Sequence, residues 1–317
     1  MSGPAGTAVL GWGTALPARR LTNAHLEAVL DTSDSWIVSR TGIQERRVAP
    51  PEDGTTSLAV AAGAAAIKHA GLTPDEIGLL VVATATPDQV LPAQSALVHE
   101  GLGVGCGAFD VGAACAGFVY AVIVASSLLA APGVGPVLVI GAETLTRIVD
   151  PTDRATAPLF GDGAAAVVLG TGPATRGVLA WDLGCDSSAA SLLRVPAGGR
   201  YLEMNGQEVF RRAVRVVVES AVAALARAGQ TAADVDLFVP HQANARIIAG
   251  AAERLGIAPE RTMVNVDRYG NTSAASIPLA LAEAADAGRI GEGDLVLLSG
   301  FGAGMTWASA LLRWGGC

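Results

Sequence analysis

The chain has 317 residues, 51% of them hydrophobic, and a formal net charge of −8 at pH 7. This length allows a large buried core, and the hydrophobic content excludes long disordered segments. The acidic balance argues against a nucleic-acid partner, because nucleic-acid binding usually requires a broad basic face.

The four cysteines, Cys106, Cys115, Cys185 and Cys317, form neither a Cys-x-x-Cys pattern nor a paired framework. The sequence therefore predicts no zinc site and no disulfides, and it favours a reducing, cytoplasmic location. The first residues lack the basic and then apolar pattern of a signal peptide. No P-loop is present, and no Gly-x-Gly-x-x-Gly motif opens a helix, so no nucleotide cofactor is predicted.

Along the chain, short apolar runs alternate with helical ones, a pattern typical of an α/β protein. Residues 73–86 predict a helix-entry turn and then a buried strand, and residues 231–244 repeat this design 158 residues later. Three further pairs follow in the same order: 108–118 with 263–276, 135–143 with 293–301, and 160–170 with 301–312. We therefore predict two similar α/β halves, residues 1–172 and 173–317, packed in layers with buried central helices and joined near Thr171–Arg176.

Residues 111–142 carry no charged side chain, and such a stretch also fits a membrane helix. The run is interrupted by Pro132, Gly133, Gly135 and Pro136, which break a helix. We therefore predict a buried helix, a turn and a strand, in a protein that does not contact a membrane.

Cys115 lies in the segment GAACAGF, after a predicted strand and at the start of a predicted helix. The free N–H groups and partial positive charge of a helix N-terminus stabilise a thiolate, so we predict a lowered pKa for this thiol. Two interpretations stay open: a reactive nucleophile, or the buried, inert cysteine that is common for this residue type. The other three cysteines lack this setting, and we expect structural or incidental roles for them.

His241 directly follows an apolar strand that Pro240 ends. Its imidazole is therefore expected at the carboxyl end of the strand, where ligand sites in α/β sheets collect; a capping role is the alternative. His25, His69 and His99 fall on predicted amphipathic helices or at their ends and are expected at the surface.

Asn271 lies in YGNTSAAS, directly before a predicted helix, where an N-cap role is the simplest interpretation. The internal repeat pairs this junction with that of Cys115, which favours a place in the same site. A cysteine, a histidine and an asparagine are together the components of thiolate acyl chemistry. The Gly-rich segment FGAGMTW near the carboxyl end can direct N–H groups at a developing oxyanion.

Seven motifs, in chain order, resemble those of the β-ketoacyl-acyl-carrier-protein synthase III family, which has the thiolase fold. They are WIVSRTGIQER, AACAGF, DPTDRATAPLFGDGAAA, NGQEVF, PHQANARII, YGNTSAASIPLAL and FGAGMTW. The resemblance implies a condensing acyltransferase without a cofactor. Cys115 would take an acyl group from acyl-CoA, and His241 and Asn271 would stabilise the enolate formed when malonyl-acyl carrier protein loses CO₂. The product would be a 3-ketoacyl-acyl carrier protein, which initiates fatty acid synthesis.

The same resemblance implies further site residues and a homodimer. The oxyanion hole and nucleophile surroundings would include Ala303 and Phe301. The positions implied for coenzyme A and its pantetheine arm are Trp36, Arg40, Thr41, Arg154, Gly206, Phe210 and Asn244. The positions implied for the acidic carrier protein are Arg211, Gln242 and Arg246, although an arginine cluster on a helix is usually a solvated face.

One departure from the family affects specificity: Leu91 precedes Pro92 where some members have a phenylalanine that closes the acyl pocket across the dimer. The smaller side chain predicts acceptance of primers longer than acetyl; the alternative is that Leu91 only fills an interface.

Four other functions compete with this prediction. A starter-unit enzyme of a polyketide pathway needs the same three residues, so the sequence separates it poorly. Plant-type polyketide synthases are longer and lack the segment from Trp36 to Arg40. A degradative thiolase is expected to have a second cysteine near the carboxyl-terminal Gly-rich turn, and here that region has none. A non-catalytic acyl-binding protein would be signalled by loss of one of Cys115, His241 and Asn271, and none is lost.

Overall fold

The computed structural model describes residues 6–131 and 133–315. Its strands are β1 (Gly6–Ala15), β2 (Arg20–Thr22), β3 (Glu45–Arg47), β4 (Leu79–Ala83), β5 (Gly107–Val111), β6 (Val137–Thr144), β7 (Asp162–Gly172), β8 (Gly177–Cys185), β9 (Leu193–Arg194), β10 (Glu203–Met204), β11 (Leu237–Pro240), β12 (Leu295–Gly302) and β13 (Thr306–Arg313). Its α-helices are α1 (Asn23–Glu27), α2 (Asp34–Thr41), α3 (Thr55–His69), α4 (Gln94–Leu102), α5 (Gly117–Leu129), α6 (Gly206–Arg227), α7 (Ala245–Leu255), α8 (Val266–Tyr269) and α9 (Ser276–Asp286).

Two large sheets repeat one topology. The first has the strand order β1-β7-β6-β4-β5 and the second has β8-β13-β12-β11. The parallel pairs are β4 with β5 and β4 with β6 in the first sheet, and β11 with β12 in the second. In both sheets the two pairings that continue from there, β6-β7-β1 and β12-β13-β8, are antiparallel. The predicted pair of similar α/β halves is confirmed. The division at residues 172 and 173 stays a proposal, and it falls in the connection between β7 and β8.

The core is layered, with two apolar helices between the sheets. Phe118 and Val122 of α5 and Ile277 and Leu281 of α9 belong to one buried cluster with residues of β4, β6, β12 and β13. Helices α3 and α4 pack on the outer face of the first sheet, and α6 and α7 on that of the second. Burying each of these large side chains contributes about 1.5–3 kcal/mol, which explains why α5 can be apolar on all sides.

The uncharged stretch at 111–142 forms the predicted helix and strand, α5 and β6. Pro132, one of the residues expected to separate them, lies outside the described residues, as does Cys317. Within the described residues, no helix is both long and apolar enough to cross a membrane.

Equivalent sharp turns lead into the two central helices. A 3₁₀ turn at 114–116 precedes α5, another at 273–275 precedes α9, and the two turns pack against each other. Ala114 at φ 44° and Ser273 at φ 46° are the non-glycine residues with positive φ in the described chain. Such backbone costs about 1–3 kcal/mol and persists where the surrounding structure enforces it, often at functional sites.

Candidate active site

A cavity of about 580 Å³ lies beside the two packed turns. Its buried wall includes Cys115, His241 and Asn271. Its exposed rim includes Trp36 and Arg246. A volume of this size suits a small-molecule ligand.

The cavity brings together most of the residues that the sequence and the family resemblance selected. Those that line it are Trp36, Arg40, Thr41, Cys115, Gly206, Phe210, His241, Asn244, Arg246, Asn271, Phe301 and Ala303. Four others do not line it: Leu91, Arg154, Arg211 and Gln242.

Cys115 sits in the 114–116 turn, two residues before α5. The end of β12 approaches its backbone closely, since a Cβ on Gly302 would lie 2.6 Å from the Cys115 nitrogen. Glycine at 302 is therefore required for this approach. The Thr306 hydroxyl lies 3.2 Å from the Ala113 carbonyl oxygen and 3.1 Å from that of Ala303, so it links the nucleophile turn to the Gly-rich turn.

The predicted lowering of the Cys115 pKa is wrong in direction. Burial raises the pKa of the thiol to about 12; a hydrogen bond with the Ser273 hydroxyl opposes this rise, and the nearby Glu143 carboxyl group adds a smaller contribution that raises the pKa. The helix begins two residues after Cys115, and no cation compensates the thiolate among the described residues. The resting group is therefore a neutral thiol.

His241 follows the last residue of β11 directly, as predicted, and its backbone N–H donates to the Ser299 carbonyl at 2.8 Å. Its Nδ1 lies 2.6 Å from Ser276 Oγ, and its ring meets Phe301 edge to face at a centroid distance of 5.3 Å. Burial lowers the pKa of His241 to about 3. The imidazole is therefore neutral at physiological pH.

Asn271 lies on the loop between α8 and the 273–275 turn. Its Oδ1 accepts a hydrogen bond from the Ser273 backbone N–H at 2.9 Å, although the N-cap of the 273–275 turn is Thr272. This bond uses the amide oxygen, so the NH₂ group is the part that the residue can offer to a ligand. The hydrogen bond to Ser273 and a contact with a ligand are therefore compatible.

Aromatic groups of the cavity rim contact cationic groups on the rim or just outside it. The Arg154 guanidinium lies 5.1 Å from the Trp36 ring centroid and 3.5 Å from Asp31 Oδ2. The Arg246 guanidinium lies 5.2 Å from the Phe210 ring. A planar guanidinium beside an aromatic face offers a surface on which a flat heteroaromatic ring and phosphates can bind.

Asn244 and Thr41 shape the rim through hydrogen bonds. Asn244 Oδ1 caps α7 by accepting from the Arg246 N–H at 2.8 Å, and its Nδ2 donates to the Arg40 carbonyl at 3.0 Å. Thr41 is the last residue of α2, and its Oγ1 donates to the carbonyl of Ile37, one turn earlier in the same helix, at 2.6 Å.

The carrier-protein contact predicted for Gln242 is wrong. The residue is 1% exposed. Its amide donates to the carbonyls of Pro240 and Met263 and accepts from the N–H groups of Asn265 and Val266. All of its hydrogen-bonding capacity is used inside the protein, so it holds the His241 segment to the segment that leads to Asn271.

Arg211 and Leu91 are exposed and outside the cavity. Arg211 makes an ion pair with Glu208 at 2.6 Å on α6. Leu91 is 82% exposed on the loop between β4 and α4. In a single chain it closes no pocket, and its predicted role depends on a second subunit.

Sequence reasoning missed Ser273, Ser276 and Glu143. The serines belong to the motif YGNTSAAS, in which only the asparagine was selected. Glu143 is the one charged residue of β6, next to its last residue, and this was a signal that could have been noticed. Its carboxylate accepts from the Ala85 N–H and lies 3.3 Å from the Ala274 nitrogen, so it joins the loop after β4 to the 273–275 turn.

Apart from Cys115, the cysteines and the possible metal ligands add no further group to the site. Cys106, Cys115 and Cys185 are free thiols. Within residues 6–131 and 133–315, no three His, Cys, Asp or Glu side chains cluster in a way that could hold a metal ion.

Comparison with family models gives two matches. Residues 109–187 match the family described as 3-oxoacyl-[acyl-carrier-protein (ACP)] synthase III, and residues 225–314 match the description of its C-terminal part. A curated relative from Symbiobacterium thermophilum, a β-ketoacyl-[acyl-carrier-protein] synthase III, is 47% identical over 97% of this chain and 98% of its own length.

Two solved structures extend the comparison. The 3-oxoacyl-[acyl-carrier-protein] synthase III of Aquifex aeolicus superposes with a TM-score of 0.95 at 45% identity, covering 98% of this chain and 100% of that one. The priming β-ketosynthase of the R1128 polyketide biosynthetic pathway has a TM-score of 0.93 at 37% identity, covering 100% and 99%.

Proposed function

The chain belongs to the 3-oxoacyl-[acyl-carrier-protein] synthase III family, and we propose on that premise that it condenses an acyl-CoA primer with malonyl-acyl carrier protein. The product is a 3-ketoacyl-acyl carrier protein, the first condensation product of fatty acid synthesis. The observation that carries this proposal is the convergence of Cys115, His241 and Asn271 on one cavity. Transfer of an acyl group from acyl-CoA to the Cys115 sulfur tests it.

In the first half-reaction, the Cys115 sulfur attacks the acyl carbonyl carbon, and the bond from that carbon to the coenzyme A sulfur breaks. Because burial raises the pKa of the Cys115 thiol to about 12, its proton leaves only as the new bond forms, and it ends on the released coenzyme A. Backbone N–H groups of Cys115 and Ala303 stabilise the oxyanion of the tetrahedral intermediate. The approach of Gly302 to the Cys115 backbone supports this pairing.

In the second half-reaction, the bond between the malonyl carboxylate and the α-carbon breaks and CO₂ leaves. The electron pair forms an enolate, whose oxygen accepts hydrogen bonds from the His241 imidazole and the Asn271 NH₂ group. The α-carbon then attacks the acyl-Cys115 carbonyl carbon, the bond from that carbon to the Cys115 sulfur breaks, and the released sulfur takes up a proton from solvent to return to the thiol. A neutral imidazole suits this role, because it already has one N–H group and can donate a hydrogen bond without first taking up a proton.

The polyketide starter reaction is the second candidate, and the priming β-ketosynthase at 37% identity is the observation that favours it. Relatives named β-ketoacyl-[acyl-carrier-protein] synthase III reach 46–50% identity over nearly the whole chain. We therefore favour fatty acid synthesis.

Arg246 and Arg211 are the proposed contacts for the acidic carrier protein. Both are exposed, and Arg246 stands at the cavity rim at the start of α7. A guanidinium at this place meets the carrier protein as its pantetheine arm enters the cavity.

Replacing Arg246 with glutamate is expected to raise the KM for malonyl-acyl carrier protein by about 5- to 10-fold, and the KM for acyl-CoA much less. The reversal acts on electrostatic association with an acidic partner, so the effect should shrink at high salt. Steady-state kinetics with each substrate varied in turn measure it. Arg254→Glu makes the same change at the far end of α7 and is the control. Equal effects on both substrates, or equal effects of the two variants, would make Arg246 an ordinary surface charge.

The proposed homodimer is supported by two exposed features of the first half. Strand β5 lies at the edge of its sheet, and Val90 and Leu91 are large apolar side chains in solvent. Exposed sheet edges and apolar loops are commonly covered by a partner. We propose that Leu91 closes the acyl pocket of the partner subunit.

If Leu91 has this role, Leu91→Phe should narrow primer selection toward acetyl-CoA. Each methylene in a hydrophobic pocket is worth roughly 1 kcal/mol, so the ratio of kcat/KM values should change by about fivefold per carbon excluded. The measurement is kcat/KM for acetyl-, butyryl- and branched acyl-CoA. Val90→Phe, which introduces a phenylalanine one residue earlier, is the control. If Leu91→Phe still forms the dimer and the ratios of kcat/KM between the primers do not change, Leu91 is an interface residue only.

A further inference from the structure

His241 and Ser276 form a buried pair that the family resemblance does not assign. Ser276 is the first residue of α9, and its Oγ lies 2.6 Å from His241 Nδ1. Both residues are at most 2% exposed. The contact joins the strand end that carries His241 to a helix 35 positions later in the chain.

The direction of this hydrogen bond follows from what else surrounds Ser276. The Gln242 backbone N–H points at Ser276 Oγ, with a nitrogen-to-oxygen distance of 3.4 Å. The serine oxygen therefore accepts from Gln242, and its single proton is free to be donated to His241 Nδ1. In the opposite arrangement the serine O–H would need another acceptor, and the described residues provide none. A buried hydroxyl without an acceptor is unfavourable.

A neutral imidazole carries one proton on nitrogen. With Nδ1 accepting from Ser276, that proton is on Nε2. Burial alone lowers the pKa of His241, without a contribution from any charged group of the described chain. The Phe301 ring packs edge to face against the imidazole, which restricts its orientation.

We infer that Ser276 is a positioning residue that fixes His241 as the Nε2–H tautomer, with its hydrogen-bond donor free for the substrate. This inference rests on the proposed function, in which His241 donates to the enolate oxygen. A histidine that presented a bare Nε2 would repel that oxygen instead.

The tautomer can be measured without substrate, by NMR of the full chain labelled with ¹⁵N-histidine. The chain has four histidines, and the spectrum of a His241→Ala variant assigns the His241 signals by difference. We expect an unprotonated Nδ1 and a protonated Nε2 that do not change between about pH 6 and about pH 8.5. A proton on Nδ1, or titration near the ordinary histidine pKa, would contradict the inference.

Ser276→Ala tests the positioning role. It should add the Nδ1–H tautomer to the spectrum and slow malonyl decarboxylation by about 10- to 100-fold, less than loss of the imidazole itself. Acylation of Cys115 by acyl-CoA should change by less than about twofold. Ser220→Ala removes another buried serine hydroxyl, on α6 and away from the cavity, and it should change neither the spectrum nor the rates.

The outcomes separate the inference from the proposed function. If the Ser276→Ala variant keeps the wild-type histidine spectrum and decarboxylation rate, Ser276 does not position His241. If the wild-type tautomer is as expected but His241→Ala still decarboxylates malonyl-acyl carrier protein at the normal rate, the proposed role of His241 fails while its tautomer stands.

Discussion

Replacing Cys115 with serine is expected to abolish the acyl-enzyme and to reduce condensation by about 10³-fold or more. A serine hydroxyl is far less acidic and less nucleophilic than a thiol. Mass spectrometry of the intact protein after incubation with acyl-CoA measures the first effect, and product formation measures the second.

The control is Cys185→Ser, the same change at an exposed cysteine that does not line the cavity. It should acylate and condense as the wild type does. Condensation at the normal rate by Cys115→Ser would remove Cys115 from the mechanism.

The second large effect separates the half-reactions. His241→Ala and Asn271→Ala are each expected to slow malonyl decarboxylation by about 10²–10³-fold, the usual cost of removing one donor to a developing oxyanion. Both variants should still acylate Cys115, because the enolate forms only in the second half-reaction. Release of CO₂ from malonyl-acyl carrier protein and the rate of acylation by acyl-CoA are the two measurements.

The pH dependence gives an independent check on His241. Burial lowers its pKa to about 3, so the neutral, donating form is fully present at every pH well above 3. Wild-type decarboxylation should therefore show no inflection from this residue near the ordinary histidine pKa of about 6.5.

For the His241→Ala and Asn271→Ala variants, the control is His99→Ala, on α4, which should behave as the wild type in both half-reactions. Normal decarboxylation in His241→Ala and Asn271→Ala would refute their roles.

The layout of the site could be predicted because the internal repeat and the ends of the strands can be recognised from short segments of the sequence. The repeat placed Cys115 and Asn271 at equivalent junctions, and the structure has the two turns packed together with Ala114 and Ser273 in the same strained conformation. Pro240 marked the end of β11 and hence the place of His241.

The errors and omissions concern contacts between distant segments. Gln242 stands beside His241 in the sequence and was expected at the surface, but its amide completes four internal hydrogen bonds. The pKa of Cys115 is raised mainly by burial, which outweighs the opposing hydrogen bond with Ser273. The bond from Ser276 to His241 joins residues on different elements. Sequence spacing does not give burial or three-dimensional distance, so these features required the structure.

The most direct test of the account is a two-step intact-mass experiment on the wild-type enzyme. Acyl-CoA alone should add the mass of one acyl group, located on the peptide that contains Cys115. After malonyl-acyl carrier protein is added, the enzyme should return to its original mass. One 3-ketoacyl-acyl carrier protein and one CO₂ should form for each acyl group that the enzyme loses. An acyl group on any other residue, or one on Cys115 that malonyl-acyl carrier protein does not discharge, would contradict the account.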